Sequence, residues 1–193
     1  MIKYSIHSSL DELISGCKAQ DKLAQRYLYE KYFKMLMQKA LRYSKNDREI
    51  GLEIVNNAFL SVFTHLHDFR GENFEGWISK IVTNKALHKI RSDNNYYKHI
   101  DAEIPNDIVL QESDPISHLS ASEINNQINR VSEPQRSIFI LNNIDGYKIR
   151  EIAQMLEMNE NTIKWHLVEA KKSLAKSVNN YKYKWQHEKE RLR

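Results

Sequence analysis

The chain encodes an all-α protein of two small helical domains, and three features of the sequence say so. Apolar residues recur at three- and four-residue spacing through both halves, the signature of helices that bury one stripe. Glycine and proline are scarce, 5 and 3 in 193 residues, which leaves few breaks. Between the halves lies an acidic stretch without helical period that holds two of the three prolines, Pro105 and Pro115.

The elements follow in order. Ser9 stands before Leu10 with Glu12 three residues on, a capping-box pattern for a short first helix. Asp21 can cap a longer second helix, along which Leu23, Tyr27, Leu28, Tyr32, Met35, Leu36, Ala40 and Tyr43 trace one stripe. A polar break from Ser44 to Arg48 precedes a third helix with Ile50, Ile54, Val55, Ala58, Phe59, Val62, Phe63 and Leu66. His67 to Asn73 reads as a loop, and a fourth helix carries Phe74, Trp77, Ile78, Ile81, Val82, Leu87 and Ile90. Four such helices close a small bundle over residues 1–91.

Residues 92–118 read as a flexible acidic linker. From Ser92 to Ser122 the six acids Asp93, Asp101, Glu103, Asp107, Glu112 and Asp114 face Lys98 alone. A second helical domain follows over 119–180, and 181–193 form a basic tail. In that domain Ile124, Ile128 and Val131 lead to Pro134, placed for the first turn of a helix, and then to the apolar run Ile138 to Leu141. Asn143 to Gly146 supplies a turn. Two helices come next, Tyr147 to Leu156 and Glu160 to about Val178, the second capped by Asn159.

Charge divides the chain in the same way. The net charge is only +4, which permits nucleic-acid contact without demonstrating it. From Glu160 onward, however, nine lysines and arginines face four acids, so the acidic middle and basic end suit different partners. One cysteine, Cys17, excludes an intrachain disulfide and a cysteine-based zinc site. No signal peptide or membrane-spanning run is evident, and the expectation is a cytoplasmic protein.

The segment from Tyr147 to Leu167 has the pattern of a helix-turn-helix. Ile149, Ile152, Ala153 and Leu156 pack its first helix, and Ile163 and Leu167 bury the second. That reading leaves Glu160, Asn161, Thr162, Lys164, Trp165 and His166 at an exposed helix N-terminus, the part of a recognition helix that reaches base edges. Lys171 and Lys172, with Lys176, suit phosphate contacts further along. The alternative is an ordinary helical hairpin with a solvated lysine face, and Trp165 fits packing as well as DNA contact.

In the first half, aromatic residues alternate with cations. Phe69, Phe74 and Trp77 are interleaved with Arg70, Lys80, Lys85, Lys89 and Arg91, a mixture that suits single-stranded DNA. Asn73 or Asn84 could supply polar edges to a base held out of the duplex. Against that, Phe74 and Trp77 at helical spacing are also ordinary core residues.

Taken together, these segments resemble the extracytoplasmic-function (ECF) group of bacterial sigma factors, over about residues 10–91 and 122–178. Asp21 to Tyr43 resembles the group's opening helix, and Glu53 to Phe59 the helix that grips core RNA polymerase at the clamp helices of its largest subunit. Phe69 to Arg91 is similar to the segment that melts and reads the −10 promoter element. Ser132 to Arg136 and the helix-turn-helix resemble the domain that reads the −35 element.

The resemblance implies an alternative sigma factor without catalytic activity that directs promoter-specific initiation. Its partners would be core polymerase (clamp helices, and the flap of the second largest subunit), promoter DNA and an anti-sigma factor. Polymerase would be held by Glu53, Asn56 and Asn57. No cofactor, metal, small-molecule substrate or membrane insertion is expected. The sequence departs from the group where an Asp-x-x-Gln-Glu pattern is usual, since it has Glu53, Asn56 and Asn57, and His88 replaces a frequent aspartate.

Enzyme readings lack a phosphate loop or nucleophile motif. His65 and His67, two apart, point to different sides of a helix and do not form a metal pair. The rival reading is a conventional helix-turn-helix regulator whose first half senses or dimerises. A pure interaction module would need no recognition helix.

Overall fold

Local capping sets where each helix begins. The computed structural model describes residues 4–5, 7–71, 73–93 and 121–191, with side chains up to Asn179 apart from those at 93 and 121. Helix α1, Leu10–Lys18, opens on the expected capping box: Ser9 Oγ accepts from the Glu12 amide, and Glu12 accepts from the Ser9 amide. Helix α2, Lys22–Tyr43, starts where Asp21 Oδ1 accepts from the Leu23 and Ala24 amides. Asp47 does the same for α3, Arg48–His65, through the Glu49 and Ile50 amides. Each cap satisfies amides that would otherwise lack an intrahelical acceptor, and is worth about 1 kcal/mol.

The chain divides into two compact units, Met1–Asn94 and Asn95–Arg193. In the first, α2 packs against α1, α3 and α4, and α3 against α4. Helix α4, Phe74–Asp93, follows a single 3-10 turn at Leu66–Asp68 and a bend at Gly71, whose φ of 98° requires glycine. The core takes most of the stripes the spacing predicts, Leu28, Leu36 and Tyr43 from α2, Ile54, Val55, Phe59 and Val62 from α3, Ile78, Val82 and Leu87 from α4, while Leu23, Tyr27, Met35, Ile50, Phe63, Trp77 and Ile81 are only half-buried. Burying each such aliphatic side chain contributes roughly 1.5–3 kcal/mol, so the stripes, rather than helix propensity, hold the bundle.

The second unit is organised around α8. Helices α5 (Ala121–Ile128), α6 (Gln135–Phe139) and α7 (Ile149–Leu156) all pack on α8, Glu160–Arg191. Pro134 is the N-cap residue of α6. A π turn at Ile140–Ile144 carries the chain on, and Gly146 at φ 77° completes the turn expected there. Helix α8 runs well past the expected end near Val178, to Arg191. Its buried stripe is Ile163, Leu167, Ala170, Leu174 and Val178. The acidic segment 92–118 lies, beyond Asp93, outside the described residues, as do the side chains of the basic tail.

The burial of two polar groups in this unit is not expected from the sequence, which places His166 at an exposed helix N-terminus. The guanidinium of Arg136 is 1% exposed, and it pairs with Glu133 Oε1, Nε at 2.6 Å and Nη2 at 2.5 Å. Glu133 also accepts from the Ser137 amide, which fastens the start of α6. His166 is 1% exposed, and neither ring nitrogen meets a protein hydrogen-bond partner. Burial lowers its pKa to about 4.

Two outcomes follow from these groups. Glu133→Ala removes one carboxylate from buried Arg136 and the acceptor of the Ser137 amide, and should lower the second unit's stability in urea unfolding by at least about 1 kcal/mol, with a visible loss of helicity. For His166 the folded pKa lies below the ordinary value, so the unfolded chain binds the proton first as pH falls. Its contribution is therefore complete above about pH 6.5 and is lost between there and pH 4, up to about 3 kcal/mol. His166→Leu should flatten the fall in urea-midpoint stability across that window.

Candidate functional site

Helix α3 turns one face inward and one out, and the outward face holds the first candidate surface. Gly51 lets α3 approach α2 closely: a Cβ there would sit 3.1 Å from Met37 Cε and 3.3 Å from Leu41 Cδ2. With Ile54, Val55, Ala58, Phe59 and Val62 buried, Leu52, Glu53, Asn56, Asn57 and Leu60 must face outward, and all five are exposed. Leu60 is 66% exposed and, with Leu52 at 40%, gives this face two exposed leucines.

Two of these side chains are held by neighbouring helices. Glu53 Oε2 lies 3.0 Å from Lys89 Nζ of α4. Asn56 Oδ1 accepts from the Tyr29 hydroxyl of α2 at 3.0 Å. Leu52, Leu60 and Tyr29 were not singled out by sequence reading. The signal was there for the leucines, which fall out of phase with the buried stripe.

The loop and α4 form the second surface. Phe69 stands 5.2 Å from Phe74 and 5.4 Å from Trp77, ring to ring, and Phe74 contacts Tyr32 of α2 at 5.2 Å. This cluster pins the loop to the bundle. Phe74 is buried and belongs to the core, while Phe69 and Trp77 are half-buried and show one part of each ring. Asn73 is exposed but its Oδ1 accepts from the Gly76 amide, so that oxygen caps α4.

Along α4, Lys80, Asn84 and His88 lie four apart on one exposed stripe, flanked by half-buried Lys85, Lys89 and Arg91; Arg70 is exposed on the loop. Lys80, Asn84, His88 and Arg91 share one side of the bundle's last helix, whereas Lys85 and Lys89 lie well round from it and Lys89 is engaged by Glu53 of α3.

The third surface is the start of α8. Helix α7 ends at Leu156, Glu157 turns the chain with φ 56°, and Asn159 Oδ1 accepts from the Asn161 amide at 2.8 Å. This is helix-turn-helix geometry, with Ile152, Ala153 and Leu156 buried against the second helix. Glu160 is exposed, and Asn161, Lys164 and Trp165 are half-exposed.

Thr162 and His166 do not belong with them. Both are buried, 8% and 1% exposed, and their side chains are closed to an outside partner. The reason is the width of the covered arc, for α5, α6 and α7 enclose α8 on more than one side. Trp165 stands edge-on to His166 with ring centroids 4.8 Å apart, so it is partly packing and partly surface.

Lys171 is half-buried, and Lys172 is exposed with Glu169 Oε1 at 2.9 Å from its Nζ. Lys148 and Arg150, both exposed at the start of α7, were missed by sequence reading. They occupy the helix that crosses the phosphate backbone in this motif.

Other chemistry finds little footing. Among the described residues no cluster of three His, Cys, Asp or Glu side chains could hold a metal ion. No described helix is long and apolar enough to cross a membrane. Cys17 is buried, and burial together with Asp21 pushes its thiol up to about 12, which leaves it a packing residue.

The family model for Sigma-70 region 2 matches residues 28–96, and that for Sigma-70, region 4 matches residues 121–174. The ECF RNA polymerase sigma factor SigW of Bacillus subtilis (strain 168) is 24% identical over 139 residues, covering 65% of this chain and 74% of SigW. SigX of the same organism, also an ECF RNA polymerase sigma factor, is 24% identical over 145 residues, covering 71% and 74%.

Among solved structures, the sigma factor RpoE of Bartonella quintana, crystallised with the anti-sigma factor NepR, shares the fold. It does so at 17% identity and a TM-score of 0.52, over 80% of this chain and 96% of RpoE. Region 2 and region 4 occur here in the family's order, one in each half of the chain, and together they match most of it. The chain therefore belongs to the sigma-70 family, in its ECF group, and is an alternative sigma factor that directs promoter-specific transcription initiation.

Proposed function

We propose that the chain loads onto core RNA polymerase through the outward face of α3, centred on Glu53, Asn56 and Asn57, with Leu52 and Leu60 as its apolar contacts. The observation that carries this is the exposure of five positions on one outward face, 52, 53, 56, 57 and 60, two of them leucine, on the helix inside the region 2 match. A polar patch with an apolar anchor is what a specific protein interface needs.

Promoter reading falls to the other two surfaces. The half-exposed rings of Phe69 and Trp77, with Arg70, Lys80, Asn84, Lys85, Lys89 and Arg91, would capture melted −10 bases by stacking and by following the phosphates. Glu160, Asn161, Lys164 and Trp165 would read the −35 duplex, with Lys171, Lys172, Lys148 and Arg150 on its phosphates.

The domain limits on this reading are 1–91 for polymerase and −10 binding, 119–180 for −35 binding and flap contact, with 92–118 as the tether. The chain supplies specificity and the polymerase the chemistry, in the cytoplasm. An anti-sigma partner is proposed by analogy with RpoE, which was crystallised with one.

The test is gel filtration of the purified chain with core polymerase. Co-elution is expected, with Glu53→Lys weakening it at least about tenfold. Elution apart from core at micromolar concentration would favour a conventional DNA-binding regulator. In run-off transcription from a cognate promoter, Lys164→Ala should lower output about tenfold or more while core binding is unchanged. Equal output would remove Lys164 from the reading surface.

A further inference from the structure

The hydroxyl of Tyr29 makes a contact that helix packing does not require. Its ring is already fixed, stacked on Phe33 at 5.2 Å and against Phe59 at 4.5 Å. From the held ring the hydroxyl donates to Asn56 Oδ1 at 3.0 Å, joining α2 to α3 across 27 residues of sequence. Burial raises the Tyr29 pKa, so at neutral pH the group keeps the proton it donates.

A planar amide that gives its oxygen to one side must turn its nitrogen to the other. Asn56 is exposed on the same face as Asn57 and Leu60, and with its oxygen engaged by Tyr29 the amide end left for an outside partner is Nδ2, a donor with no lone pair to offer. A free surface asparagine would instead present either end.

We infer that Tyr29 is a positioning residue for polymerase binding: it locks Asn56 as an outward hydrogen-bond donor and so selects an acceptor, a carboxylate or backbone carbonyl, on the polymerase. The inference rests on the proposed α3 interface. Its benefit is preorganisation, since a side chain ordered before binding loses less freedom on binding. This chain also carries a short amide at Asn56, whose two rotatable bonds make it easy to fix with one hydrogen bond.

The test is the affinity of fluorescently labelled full-length chain for core polymerase, by anisotropy titration, for wild type, Tyr29→Phe, Asn56→Ala, the double variant and Asn56→Asp. Tyr29→Phe keeps the ring and removes only the hydroxyl, so the thermal midpoint should hardly move. Affinity should fall about three- to fivefold, the cost of ordering one side chain on binding. Because the hydroxyl acts only through Asn56, the double variant should bind no worse than Asn56→Ala. Asn56→Asp, which still accepts from Tyr29 but shows oxygen outward, should bind worse than Asn56→Ala.

If Asn56→Ala weakens binding but Tyr29→Phe does not, or if the two losses multiply, the positioning role is overturned while the interface stands. If Asn56→Asp binds as well as Asn56→Ala or better, the outward group is not a required donor and the claim fails. If Asn56→Ala binds core like wild type, the α3 assignment at Asn56 falls and takes the inference with it.

Discussion

The rotational setting of α3 about its own axis is the constraint on which the first unit's surface depends. Successive residues on a helix are about 100° apart, so a slip of one residue would bury Asn56 or Asn57 and expose Val55 or Phe59. Ile54, Val55, Ala58, Phe59 and Val62 prevent that slip by filling the space between α2 and α4, and Gly51 permits the close approach that seats them. Neighbouring helices then act on the outward side, Tyr29 on Asn56 and Lys89 on Glu53. What reaches the outside is thus determined by what is packed within, and the outward face of α3 needs no loop to position it.

The same reasoning applies to α8, where it exposes the limit of reading a helix from its apolar residues alone. Ile163, Leu167, Ala170 and Leu174 locate the centre of the buried face but not its width. Thr162 and His166 sit on the flank of that stripe, at four-residue spacing with Ala170. The enclosure of α8 by three other helices extends burial over them. Residue type suggested exposure, and tertiary context decided otherwise. In α3 the opposite occurred, for Leu52 and Leu60 are apolar yet lie on the face turned away from α2 and α4.

Most of the architecture was legible because it is written in local chemistry. The Ser9 box, the Asp21 cap and the Asn159 cap are side chains acting within a few residues of themselves, and the turn at Gly146 is a backbone freedom that only glycine supplies. The end of α8 was not legible, since its apolar stripe fades after Val178 into a polar run that does not distinguish helix from coil. The Arg136–Glu133 pair was also hidden, because an i, i+3 charge pair looks like a surface decoration until burial is known. Of the candidate surfaces, the residue types were readable but the contacts engaging Asn73, Glu53 and Lys89 were not. The Glu53–Lys89 contact joins parts of the chain only through the fold, whereas Asn73 caps its own helix three residues on.

On the proposed reading, the energetics explain why recognition is divided. Each exposed cation on α4 or α8 is worth little by itself, about 1 kcal/mol or less for a screened surface contact. The bundle's half-buried rings offer only partial stacking area, and the start of α8 offers few base-reading side chains once Thr162 and His166 are withdrawn. Neither surface has the means to bind DNA tightly alone. Held together on a polymerase, however, the second contact becomes intramolecular, and two weak surfaces add to a selective one without any new interaction. A protein built this way stays off most DNA until the enzyme that needs it sets both halves at promoter spacing. The weakness of each half is then a condition of its specificity.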